Sequence, residues 1–137
     1  MENNFELTVE ASKEQIPVVL KFIEDLMGSF GFTPRKMFEV QLAVEEACTN
    51  IALYAYPGGG GPIRISAEVG EDHLELTIAD KGLPFDPTAK KVAISTEEVE
   101  QRPIGGLGIA LIRASVDGLF YEYRNGENIL RIMKNKT

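Results

Sequence analysis

The chain has 137 residues, a formal net charge of -7 and 44% hydrophobic residues, proportions that suit one domain with a core of its own. The acidic balance argues against a nucleic-acid partner, because neutralising phosphates takes clustered Lys and Arg. A single cysteine, Cys48, rules out an internal disulfide, and no secretory h-region or run of about 18 apolar residues is present, so the expectation is a cytoplasmic protein with no membrane partner.

The first segment, NNFELTVEA over residues 3 to 11, alternates Phe5, Leu7 and Val9 with polar residues and reads as a strand. Ser12 and Gln15 then have the spacing of a capping box, ahead of a helical stripe made by Ile16, Val19, Leu20, Ile23, Leu26, Met27 and Phe30. Pro17 leaves the first residue of that helix open. Thr33 and Pro34 form the N-cap and first turn of a second helix, expected to run to about Ala55 and to stop at YPGGGGP. IRISAEV and HLELTIAD, joined by GED, read as a hairpin. Residues 81 to 104 lack periodicity, which is long for a loop in a domain this small and points to a functional lid. GGLG opens a third helix to about Asp117, and GLFYEYR, NG and ENILRIMK close the chain as a second hairpin. The order predicts a two-layer α+β arrangement with helices on one face of a sheet.

Three stretches carry candidate chemistry. On the second helix, Met37, Val40, Val44, Ala47, Cys48, Ile51 and Ala55 form a core stripe. Glu46 and Asn50, spaced i, i+4, point away from it among Leu42, Ala43, Leu53 and Tyr54, so an acid and an amide reach one object from an apolar setting. A solvated Glu and a stray Asn is the plainer alternative. In DKGLPFDP, Asp80 ends a strand. It is either an ordinary turn residue or a carboxylate that accepts a hydrogen bond from a ligand's amino group, with Gly82 letting a flat ring approach. RPIGGLGIALIRASV is neither a P-loop nor the dinucleotide fingerprint, whose third glycine would fall at Leu111. Gly105, Gly106 and Gly108 nevertheless free backbone amides to face an anion at a helix N-terminus, unless they serve only as a hinge.

In order and spacing, EEACTN, DKGLPFD and GGLGIALI resemble the N, G1 and G2 boxes of the GHKL (histidine kinase-like) ATPase superfamily. Within it, LAVEEACTNIALYAYP, DKGLPFDP and RPIGGLGIALIRASVDGLFYEYRNGEN are most similar to bacterial anti-sigma factor serine/threonine kinases of partner-switching systems, over nearly the whole chain. The resemblance implies one Bergerat-type ATP-binding domain over 1–137, an α+β two-layer sandwich with a mixed, mostly antiparallel sheet and an ATP lid at about 81–108. It implies ATP and Mg2+ as cofactors, with Asn50 as the metal ligand and Glu46 as the catalytic residue that orients or deprotonates the attacking hydroxyl. Asp80 becomes the adenine-reading carboxylate, with Gly82, Pro84 and Phe85 beside the nucleotide, while Gly105, Gly106, Leu107, Gly108 and Ile109 hold the phosphates.

The implied partners are a small anti-sigma-factor antagonist as phosphorylation substrate, a sigma factor as a second protein, and another copy of the chain in a homodimer. Two positions depart from the family pattern: Tyr54 stands where many relatives have His, and Arg131 is offered where the last strand often has Thr near the adenine. The lone His73 and Cys48 read as surface and core residues rather than chemistry. Three functions follow: a Mg-ATP-dependent protein kinase, a nucleotide-dependent protein-binding switch without kinase activity, or the ATP-binding part of a histidine kinase. The last is disfavoured because no helix carries an acceptor His.

Overall fold

The computed structural model describes residues 3–85 and 110–137. Five strands form one sheet: β1 (Asn4–Glu10), β2 (Pro62–Val69), β3 (His73–Asp80), β4 (Gly118–Arg124) and β5 (Glu127–Asn135). Their order is β1-β2-β3-β5-β4, and all the pairings are antiparallel. Both expected hairpins are present. The second turns through Asn125 (φ 55°) and Gly126 (φ 78°), the left-handed pair that matches strand twist in a two-residue connection.

The period-2 pattern fixes which side of the sheet is covered. Leu7, Ile65, Ile78, Leu130 and Tyr121 lie in one row across all five strands, and Phe5, Ala67, Leu76, Ile132 and Leu119 in the next. All of these side chains but the exposed Phe5 form one core with the helices α1 (Ile16–Ser29) and α2 (Pro34–Asn50). Val19, Ile23 and Met27 of α1 and Val40, Val44 and Cys48 of α2 are fully buried. Each large apolar side chain among them contributes about 1.5–3 kcal/mol. The opposite sheet face carries charge pairs, Arg64 with Glu127 at 2.9 Å and Arg131 with Glu122 at 3.3 Å. The α+β layering with helices on one face is the one the sequence implies.

Local signals worked unevenly. Thr33 caps α2 as expected, its Oγ1 accepting from the Lys36 N–H at 3.2 Å. The Ser12–Gln15 capping box does not form: the Ser12 side chain makes no cap bond, and Lys13–Gln15 make a tight 3-10 turn before α1. The Gln15 N–H bonds the Ser12 carbonyl at 3.1 Å instead of its side chain, and because Pro17 has no N–H for the Lys13 carbonyl, Ile16 donates to it and the turn stays tight. The α-helical part of the second helix stops at Asn50, and Ile51–Ala55 continue as a wide π turn. Ala43, expected beside Glu46 and Asn50 on the side away from the core, is wholly buried. Burial also pushes the Cys48 thiol up to about 12, so it stays protonated.

Residues 110–115 are helical (α3), and their end is tied down by an unusual core residue. The inward row of β5 closes with Lys134, whose Nζ donates to the Ser115 carbonyl at 2.7 Å and pairs with Glu39 Oε1 at 2.7 Å. The hydrogen bond from Lys134 holds the Glu39 carboxyl below its ordinary range, against the opposing effect of burial. One ammonium thus joins α2, β5 and the C-terminal end of α3, where a cation also suits the helix dipole. Among the described residues no helix is long and apolar enough to cross a membrane.

Lys134→Met keeps the apolar stem but strands the Ser115 carbonyl, and should lower stability in urea unfolding by about 1–3 kcal/mol. Glu39→Gln should shift the midpoint less. Because the folded-state acidity of Glu39 is the stronger, its contribution is lost as pH falls, and the gap between Glu39→Gln and wild type should close in acid.

Candidate functional site

A cleft opens between the C-terminal half of α2 and the sheet. Ala47, Asn50, Ile51 and Ala55 line it from the helix and π turn; Ile78 and Asp80 come from β3, Leu130 and Asn128 from β5, and Tyr121 from β4. Phe85 and Ile112 of α3 complete it. Most of this lining is apolar, so the polar groups within it stand out.

Asp80 is the first of these, 5% exposed. Its Oδ1 accepts from the Gly82 N–H at 2.8 Å and from Asn128 Nδ2 at 2.9 Å. Oδ2 accepts from no described residue. Burial raises the pKa of this carboxyl above the usual carboxylate range; the two hydrogen bonds oppose that shift, and the Glu127 charge adds to it. A buried acceptor with one oxygen unused, set in an apolar slot, fits a flat ring that carries an amino group.

The segment leaving β3 is pinned at every available donor. The Lys81 N–H bonds the Tyr56 hydroxyl at 2.7 Å, Gly82 bonds Asp80, the Leu83 N–H bonds the Ala55 carbonyl at 2.9 Å, and the Phe85 N–H bonds Asn128 Oδ1 at 3.0 Å. Pro84 has none to offer, and it is exposed. Gly82 is required by the packing of the protein itself. A Cβ at this position would lie 2.3 Å from the Ala55 carbonyl oxygen, so the glycine lets the strand end close on the π turn.

Asn50 is 8% exposed and lines the slot with Asp80. Glu46, one helical turn earlier, is half-buried and outside the lining. Its carboxyl is raised by burial first and by the neighbouring Glu45 charge second. Among the described residues no cluster of three His, Cys, Asp or Glu could hold a metal. A divalent ion would therefore depend on a neutral oxygen such as that of Asn50 and on oxygens of a ligand, which suits Mg2+.

The structure thus brings together Asn50, Asp80 and Phe85, with Gly82 behind the slot and Glu46 beside it. Gly105, Gly106, Leu107, Gly108 and Ile109, and the lid beyond residue 85, lie outside the described residues. Arg131 is not at the slot: it sits on the opposite sheet face, donating to Glu122. Asn128 takes that place, paired across the ladder with Asp80. Strand parity held the clue, because 128, 130, 132 and 134 share one face, but Ile129 and Met133 make the other face of β5 look equally apolar.

The histidine kinase-like ATPase domain family matches residues 9–134. The chain belongs to this family. It is 30% identical over 129 residues to the serine-protein kinase RsbW of Bacillus mycoides (strain KBAB4), covering 91% of this chain and 81% of that protein. The RsbW of Halalkalibacterium halodurans is 31% identical over 116 residues, covering 82% and 71%. A crystal structure of the RsbU and RsbW domains of a Mycobacterium tuberculosis protein superposes with a TM-score of 0.69 over 96% of this chain, at 14% identity. This chain spans 32% of that longer one, and the likeness there is of fold.

Gly82→Ala should cost about 1–3 kcal/mol through overpacking against Ala55 and weaken any ligand held at Asp80. Gly58→Ala, where nothing lies within 4 Å of an added Cβ, should change neither. Thermal denaturation of the two variants, with equilibrium ligand binding, checks the difference.

Proposed function

We propose that this chain is a Mg-ATP-dependent serine/threonine-protein kinase of the partner-switching type. It phosphorylates a small anti-sigma-factor antagonist, holds a sigma factor as its second partner, and works as a cytoplasmic homodimer. One observation carries the nucleotide part: Asn50 and the half-satisfied Asp80 share one apolar slot. The names of the relatives, serine-protein kinases at about 30% identity, support phosphoryl transfer to a protein serine.

The residues divide the work by position. Asp80 Oδ2 receives the amino group of the base, while Ile78, Ile51 and Leu130 exclude water from its ring. Asn50 offers a neutral amide oxygen to the metal, and the glycines at 105, 106 and 108 offer backbone amides to the phosphates. Mg-ATP supplies the transferable phosphoryl group and the charge neutralisation that such transfer needs. Glu46, outside the base slot and one turn from Asn50, takes the proton of the partner's hydroxyl as its oxygen bonds phosphorus and ADP leaves. A carboxyl raised by partial burial is the better base for this near neutral pH.

Incubation with labelled ATP and candidate antagonist proteins tests this reading. Glu46→Ala should abolish transfer and leave Mg-ATP affinity within about tenfold, whereas Asn50→Ala or Asp80→Asn should weaken binding by more than about 1.4 kcal/mol. Transfer that survives Glu46→Ala would overturn the role given to Glu46, whereas Mg-ATP binding with no transfer from the wild type would leave only the binding-switch function. In the wild type the rate should fall as pH drops through a limb placed above that of an ordinary glutamate, since only the ionised form accepts a proton.

A further inference from the structure

The hub of the slot is Asn128, a residue with no role in the reading above. It is 6% exposed, and all of its hydrogen-bonding capacity is used. Nδ2 donates to Asp80 Oδ1 at 2.9 Å and to the Leu83 carbonyl at 2.8 Å. Oδ1 accepts from the Phe85 N–H at 3.0 Å and from the Tyr121 hydroxyl. The amide has one workable orientation, because Asp80 and the Leu83 carbonyl are acceptors and the Phe85 N–H is a donor. A flipped amide would oppose like groups at all three.

We infer that Asn128, held from behind by Tyr121, is the positioning residue that sets the purine selectivity of the slot. By occupying Oδ1 of Asp80 it leaves one carboxylate oxygen, Oδ2, at one place and facing one kind of partner, an exocyclic amino group. Asn128 has no donor left for a base, so it acts through Asp80 rather than by touching the ligand. The same amide fixes Leu83 and Phe85, so the chain leaving the slot and the base-reading oxygen are set together. A 6-oxopurine in the same pose would present an acceptor to an acceptor and should bind more weakly. This inference rests on the slot being the ATP site.

Two probes separate positioning from mere structural support: ATP, and the triphosphate of purine riboside, which lacks the 6-amino group. Their dissociation constants are to be measured by calorimetry on the full chain and on its Asn128→Ala and Tyr121→Phe variants. The wild type should prefer ATP by about tenfold or more, the usual worth of a buried hydrogen bond to a charged group. In Asn128→Ala the preference should collapse to less than about threefold, with Tyr121→Phe in between. A parallel loss of affinity for both probes, with the preference intact, would make Asn128 a structural residue and overturn the inference while leaving the ATP site standing. If Asn128→Ala does not fold, an unchanged preference in Tyr121→Phe overturns it equally. Failure of the wild type to bind either probe would instead remove the ATP reading, and this inference with it.

Discussion

Burying the Asp80 carboxylate is the constraint around which this end of the molecule is organised. A charged acceptor taken out of water costs several kcal/mol unless hydrogen bonds replace the lost solvent. Here the replacements come from two directions, the Gly82 backbone just after the strand and Asn128 on the neighbouring strand. The β3–β5 register, which places Asn128 directly opposite Asp80, is therefore as much a part of the site as the acid itself. Among the described residues donors reach Oδ1 alone, and the residual destabilisation of the anion persists as a raised pKa. The other oxygen is the feature a ligand can use.

The helical side answers to the same requirement. For the segment after Asp80 to return its N–H groups to the body, the Ala55 carbonyl must be within reach, and the π turn at Ile51–Ala55 presents it. Gly82 then becomes obligatory because the two backbones meet without room for a side chain. Tyr56 braces the junction from outside, its hydroxyl donating to the Pro62 carbonyl at 2.6 Å while accepting from Lys81. At the far end of the sheet, Lys134 fastens α3 to α2, so the helix that contributes Ile112 to the slot is held at its C-terminal end by a buried charge.

Features written in short windows were legible in the sequence: the Thr33 cap, the Asn125–Gly126 hairpin, the core stripe of α2 and the alternation of β2. So was the family, because three boxes in the right order are specific where each alone is weak. What escaped depended on pairing between distant segments. Asn128 matters only once β5 lies beside β3, and the apolar residues on both faces of β5 hid which parity faces inward. Gly82 was legible as a close-approach position, but its contact with Ala55 was not, since that residue lies 27 positions earlier in the chain. The cap expected at Ser12 fails within one turn, because the Gln15 N–H goes to the Ser12 carbonyl and not to its hydroxyl.

The most direct measurement is a crystal structure of the chain with Mg2+ and a non-hydrolysable ATP analogue. The base should lie in the slot between Ile51 and Leu130, with its 6-amino nitrogen within hydrogen-bond distance of Asp80 Oδ2 and the metal on the Asn50 amide oxygen. A nucleotide bound elsewhere, or a base whose amino group turns away from Asp80, would contradict it.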